Sequence, residues 1–243
     1  MSGHSKWATI KRQKGAADIK RGLTFTKISN AITIAVKRSG GITDIDNNFR
    51  LRLAVEEAKA NNMPKENIER AINRAVGKEG GLVTEVIYEG FAPEKVSVII
   101  EAVTDNPQRT ASEIKNIFNK EGASFGKPGS VSYQFEQKGE IIVSLAERSM
   151  DALFEAALEC GAADIQESQD KKAIITTSYS DISGVRNKFL EKGIKLEKSS
   201  IIRKPLIYAS VFDKEKLGRV KNFINRIEEL DDVQKIYSNL KEQ

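Results

Sequence analysis

After GKEGG at residues 77–81 the spacing of the apolar residues changes from helical to strand-like, and any fold for this chain has to accommodate that break. Before it, Leu23, Ile28, Ile32, Ala35 and Val36 recur near the helical period over residues 16–37, and Ser39, Gly40 and Gly41 stop them. A second helix is expected after Asp46, with Leu51, Ala54, Val55 and Ala58 on one face. A third is expected in NNMPKENIERAINRAVG: Pro64 suits the first turn, Glu66 sits near the positive end, and Gly77 supplies a left-handed stop. Three helices with short links make a small bundle, and their Leu, Ile and Ala positions are its core.

Beyond the break, residues 83–90 and 95–104 read as strands, 107–122 as a helix and 130–135 as a third strand. Residues 139–145, 149–159, 162–168, 172–178, 181–192 and 194–202 then read as strand, helix, strand, strand, helix and strand, the ferredoxin-like order. What remains is a helix carrying Leu217, Val220, Phe223, Ile224 and Ile227, and a strand at 232–237, which together cannot bury that face. The first α/β unit lacks one helix and one strand, so the tail is expected to return to it, with 203–205 as the hinge. The expected fold is α+β. A basic three-helix domain with a flexible arm covers 1–80. A discontinuous ferredoxin-like middle domain covers 81–137 plus 205–243, and an inserted βαββαβ domain covers 138–204.

Charge is segregated along this frame. Residues 1–80 hold 16 Lys and Arg against 8 Asp and Glu, whereas residues 81–243 hold 23 against 26. Residues 1–38 alone carry nine cations and one acid, so they account for the whole excess of the first domain. A polyanion is the obvious partner for such a segment; a solvated basic tail is the plain alternative. Within SKWATIKRQKG, Lys6, Lys11, Arg12 and Lys14 alternate with Trp7 and Ile10, and Lys20, Arg21 and Lys27 follow. Cations neutralise phosphates, and an indole offers a face on which a base stacks. Trp7 can equally fold back as an anchor on the bundle. Lys37 and Arg38 also suit a helix C-terminus electrostatically and so say less about a partner.

Catalytic chemistry finds little material. The one His, His4, and the one Cys, Cys160, cannot make a nucleophilic pair held by a rigid third group, nor a transition-metal cluster, and a lone Cys makes no intramolecular disulfide. GASFGKP at 122–128 has three residues where a Walker loop needs four, and Pro128 stands at the hydroxyl position. Glu89, Glu101 and Asp105, at or near the ends of two adjacent expected strands, are the remaining acid/base candidates, as a possible acidic cleft or, remotely, a hydrolase. No catalytic residue, cofactor, metal or small-molecule substrate is expected. With no run of about 18 apolar residues and no apolar stretch after the cationic start, neither a membrane span nor a secretory signal is expected, and a cytoplasmic location fits.

GHSKWATIKRQKGAADIKRG, FTK, NMPKENIERAI, YEGFAP, EAVTDNPQRT and FNKEGASFGKPGSVSYQF together closely resemble the YebC/PmpR family of bacterial proteins. The likeness is dense to about residue 136 and looser beyond it. Leu23 and the Ser29-Asn30 pair stand where that family carries more charge, and FAPEK replaces a more Gly-rich turn. The resemblance implies a three-helix domain followed by two α/β domains, one interrupted, and no enzymatic activity. It implies a DNA-binding transcriptional regulator or, alternatively, a ribosome-associated RNA-binding translation factor.

Overall fold

The computed structural model describes residues 3–77, 83–146, 148–168 and 170–241, with the side chains of residues 3–19 outside that description. Among the described residues the chain is α+β, with seven α-helices and two four-stranded sheets. It forms two compact units. One comprises Met1–Tyr88, Ile100–Lys120 and Asn222–Ile236; the other comprises Glu89–Ile99, Glu121–Lys221 and Tyr237–Gln243.

The helical part of the first unit opens with α1 (Gly3–Arg38), followed by α2 (Phe49–Ala60) and α3 (Lys65–Val76). The flexible arm expected ahead of residue 16 is therefore replaced by helix, continuous from Gly3. Lys, Arg, Gln and Ala are all good helix formers, so loss of apolar periodicity did not mean loss of helix. Ile28, Ile32, Ala35 and Val36 of α1 pack on Leu51, Ala54, Val55 and Ala58 of α2 and on Ile68 and Ala71 of α3. α1 stops as the Ser-Gly-Gly sequence suggests: Gly41 N–H donates to the Val36 carbonyl at 2.9 Å and Gly40 N–H to that of Lys37 at 3.1 Å. Gly40 sits at φ 74°, where a Cβ would be strained.

Asn48 locks this stop to the next helix. Its Oδ1 accepts from Leu51 N–H at 3.1 Å as the N-cap of α2, while its Nδ2 donates to the Ala35 carbonyl, Ser39 Oγ and the Ile42 carbonyl at 3.1, 2.9 and 2.9 Å. At the far end of α3, Gly77 is extended at φ −80°, not left-handed as expected; its N–H still reaches the Asn73 carbonyl, so no left-handed residue is required.

The first sheet has the order β3-β1-β2-β8, built from β1 (Thr84–Phe91), β2 (Ser97–Thr104), β3 (Ser124–Phe125) and β8 (Val233–Ser238). The C-terminal strand thus lies in the sheet of the first three. Helix α4 (Pro107–Lys120) precedes β3 and α7 (Lys214–Glu228) precedes β8. Phe118 of α4 and Phe223 of α7, both fully buried, meet edge to face with centroids 4.9 Å apart. The second sheet has the order β5-β6-β4-β7, from β4 (Phe135–Ser144), β5 (Asp164–Ser168), β6 (Lys172–Ser178) and β7 (Leu196–Pro205). Helices α5 (Met150–Cys160) and α6 (Ile182–Glu191) connect its strands in the βαββαβ sequence. The strands that follow α4, α5, α6 and α7 all take sheet edges, and in the second sheet this is the ferredoxin-like layout. The second sheet is antiparallel throughout, and β4 pairs with β7 from Phe135↔Pro205 to Val143↔Leu196.

The third strand expected at 130–135 does not form. Residues 132–134 make a short 3-10 turn, and Phe135 already opens β4 of the second sheet. The sequence between β1 and β2 holds a second departure. Glu94 and Lys95 both lie in the left-handed region, at φ 60° and 59°, inside a turn closed by Ala92 N–H on the Val96 carbonyl at 2.8 Å. Neither residue favours that conformation, which is where the Gly-rich turn of similar proteins would help. Glu94 is held there by Lys216 Nζ at 3.1 Å and by Arg219 at 3.2 Å. Lys95→Gly is therefore expected to stabilise the fold by about 1 kcal/mol, read as a rise in the denaturation midpoint at unchanged slope; a lowered midpoint would show that Lys95 has favourable contacts that outweigh its backbone strain.

Candidate nucleic-acid interface

Of the eight residues singled out for a polyanion, Lys6, Trp7, Lys11, Arg12 and Lys14 have side chains outside the described residues, as has His4; their backbone belongs to α1. A helix of 36 residues is about 54 Å long. Lys20 and Arg21 are exposed on it, and the Arg21 guanidinium lies 5.4 Å from the centroid of the Phe25 ring. Lys27 has a different use. Its Nζ donates to the Glu228 carbonyl at 2.5 Å, at the end of α7. Burial lowers its pKa, against the pull of Glu228 and Asp231, which raise it. Lys37 likewise donates to the Val83 carbonyl at 2.6 Å, and Arg38 pairs with Glu85 at 2.5 Å. Lys27, Lys37 and Arg38 are thus tied to protein by these contacts, whereas Lys20 and Arg21 are exposed.

Two further cations escape the sequence argument, Arg70 and Arg74 of α3. Their i, i+4 spacing was the available signal, masked by Glu66 and Glu69 on the same helix. With Phe25, Thr26, Ser29 and Asn30 of α1, and with Met63, Asn67 and Ala71, they line a cleft of about 310 Å³.

The three acidic candidates are handled separately. Glu89, near the end of β1 and only 6% exposed, accepts N–H groups from Gly129, Val131 and Ser132 at 2.8, 2.8 and 2.9 Å. Its carbonyl accepts Gly126 N–H at 2.8 Å. Burial alone would push this carboxyl up. The N–H groups of Val131, Gly129 and Ser132, with the Ser132 hydroxyl, outweigh it and hold the group below its ordinary value. An ionised carboxylate with its acceptor sites filled by backbone donors is a poor proton shuttle, so Glu89 is a clasp on residues 126–132.

Asp105 is exposed and accepts from Arg109 at 3.0 Å, and Glu101 is half-buried on β2. Arg109 also reaches Asp232 at 3.2 Å. Asp232 accepts in addition from the hydroxyls of Thr104 and Thr110 at 3.0 and 2.6 Å, and Asn106 caps α4 by accepting Arg109 N–H at 3.1 Å. The TDNPQRT stretch is in this way a helix start fastened to the residue before β8. Tyr88, whose hydroxyl donates to the Pro107 carbonyl at 3.0 Å, closes the same cluster; burial first and Asp232 second push its pKa up. Cys160 is buried at the end of α5, and burial pushes its thiol up, against the pull of Lys192 and Lys188, which lower it. No helix among the described residues is long and apolar enough to cross a membrane.

Comparison with known proteins agrees with this arrangement over nearly the full chain. Residues 5–78 match the family model described as the TACO1/YebC protein N-terminal domain, and residues 83–240 that of the TACO1/YebC second and third domain. A probable transcriptional regulatory protein of Chloroflexus aggregans is 46% identical over 243 residues, covering 99% of this chain and 95% of that one. One so named from Thermotoga maritima is 46% identical over 242 residues, covering 98% and 93%. The crystal structure of a conserved hypothetical protein from Aquifex aeolicus superposes with a TM-score of 0.84 at 42% identity, covering 91% of this chain and 90% of that one.

The Glu89 clasp has a pH signature. Because its folded-state pKa is depressed, its stabilisation is complete above the unfolded value of about 4.3 and is lost as pH falls through the lower folded value. Glu89→Gln is expected to cost about 1–3 kcal/mol in urea unfolding near neutral pH. The gap to the wild type should narrow below about pH 4. A gap independent of pH would show that shape, not charge, matters at this position.

Proposed function

Because this chain belongs to the TACO1/YebC family, we propose that it is a cytoplasmic regulator of gene expression that acts by binding nucleic acid through α1, with no catalytic step. The observation that carries this reading is the placement of charge. The nine cations of residues 1–38 lie on one 36-residue helix; of those whose contacts are described, Lys27, Lys37 and the exposed Arg38 are bonded to protein groups, and Lys20 and Arg21 are exposed. Duplex DNA is the first candidate, in line with relatives named as probable transcriptional regulatory proteins. A groove-spanning basic helix would neutralise phosphates along its length and release counterions as it does so.

One observation favours a second reading, a ribosome-associated RNA-binding translation factor. α2 and α3 are joined by residues 61–64, a connection of helix-turn-helix length. A recognition helix contacts base edges with its N-terminal residues, yet α3 begins with exposed Glu66 and Glu69. Carboxylates there repel the phosphates that flank a major groove. The cations of α1 are mostly Lys, which hold phosphates as point charges and discriminate bases weakly.

Binding titrations across a salt series test the proposal. Log affinity for duplex DNA should fall by about 0.9 per phosphate contacted for each decade of salt, and reversing charge at Lys11, Arg12 and Lys14 should flatten that slope. An unchanged slope and affinity in the triple variant would remove α1 as the contact element. Sedimentation of lysate separates the two partners. Retention on ribosomes with weak sequence preference on DNA supports the translation reading, whereas a preference for one promoter of about a thousandfold over scrambled DNA, with no ribosomal retention, supports the transcriptional one.

A further inference from the structure

The cleft between α1 and α3 is rich in hydrogen-bond donors and has no acidic residue in its lining. Its two guanidinium groups lie one turn apart on α3. Arg74 donates to Asn30 Oδ1 at 2.9 Å and to Thr33 Oγ1 at 3.2 Å, and its buried Nε has no hydrogen-bond partner among the described residues. Arg70 donates to Asn67 Oδ1 and, at 3.4 Å, to the Glu66 carbonyl. Both side-chain amides therefore present their acceptor oxygens to arginine, which leaves the amide nitrogens of Asn30 and Asn67 as additional donors at the cleft.

The remaining lining narrows the ligand. Half-buried Phe25 and buried Met63 give the cleft an apolar side, and the guanidinium of Arg21 over the Phe25 ring places a third cation beside it. A volume of about 310 Å³ suits one nucleotide and is too small for a duplex. The cleft also lies one helical turn beyond the exposed Lys20 and Arg21 of α1, at Phe25, so a strand lying along that part of the helix would reach it.

We propose that the α1–α3 cleft holds one unpaired nucleotide of a bound strand, with its phosphate on Arg70 and Arg74 and its base between the apolar side at Phe25 and the amides of Asn30 and Asn67. This rests on the nucleic-acid reading above and extends it from phosphate binding to selection of unpaired over paired strands. The nucleotide comes either from RNA or from opened DNA, which share the phosphate and base acceptors that the cleft complements.

The test uses the full chain and labelled strands of about twelve nucleotides, as single-stranded RNA, single-stranded DNA and a duplex of the same sequence. The variant is the double substitution Asn67→Ala with Arg70→Gln, both on the accessible side of α3, so that the Arg74 bonds to α1 are retained; unchanged thermal unfolding confirms the fold. Single-strand affinity should fall about tenfold and its salt slope lessen by about 0.7, while duplex affinity changes less than about twofold. A greater loss on RNA than on DNA assigns the nucleotide to RNA, and the reverse assigns it to opened DNA. Equal loss on single strands and duplex reduces the cleft to a general phosphate contact and overturns the proposal. Unchanged single-strand affinity overturns it too, and if charge reversal at Lys11, Arg12 and Lys14 still weakens binding, the nucleic-acid reading survives that failure. If no strand binds at all, both fall together. Should the double variant unfold, Arg70→Gln alone, which leaves the Arg74 bond to Asn30 in place, must reproduce the selective single-strand loss for the proposal to stand.

Discussion

A single buried carboxylate decides how the chain passes from one sheet to the other. Glu89 gathers the N–H groups of Gly129, Val131 and Ser132, groups that would otherwise pair with a neighbouring strand or be left without partners. The segment after α4 is drawn into a coil around it, so β3 ends after two residues and the next extended run begins at Phe135 in the second sheet. Val131 and Phe135 then pack on Ile99, with Phe91 and Tyr237 against them, which turns the coil into the floor of a small core. Three charge-assisted hydrogen bonds to backbone offset the burial of the charge, which a single salt bridge at that depth would do less completely.

That clasp also explains where sequence patterning was and was not informative. Apolar spacing placed α2, α3 and the βαββαβ unit within a few residues, because each buries a periodic face. The tail could be assigned to the first sheet by need alone, since Val220, Phe223 and Ile227 required cover. By the same logic Val131, Tyr133 and Phe135 alternate like a strand, yet the N–H groups of Val131 and Ser132 are claimed by a side chain more than 40 residues earlier, and periodicity carries no record of such a partner. The left-handed Glu94 and Lys95 were equally hidden, because neither residue announces that conformation.

The candidate interface shows the same division. Segregated charge pointed to α1 as a whole, and Lys20 and Arg21 are exposed there. Charge by itself could not separate a cation facing a partner from one facing protein. Lys27 lies six residues beyond Arg21 and caps a helix end 201 residues away. The arginines of α3 were passed over for the opposite reason, since Glu66 and Glu69 make that helix look balanced when its charges are summed, although the residues lining the cleft include no acid. Sums along a sequence average over faces, and binding depends on one face at a time.

The pairing of β4 with β7 begins with Phe135 opposite Pro205, and Leu206 N–H donates to the Gln134 carbonyl at 2.8 Å just outside it. The chain therefore enters and leaves the βαββαβ segment side by side, held by backbone bonds at the junction. A segment joined in that way is a cassette. Its length and surface can diverge, be shortened to a hairpin, or be exchanged for another fold with adjacent termini, and the two strands at its root need only keep their register. Such an attachment lets one part of a protein acquire new contacts while the remainder keeps its sequence.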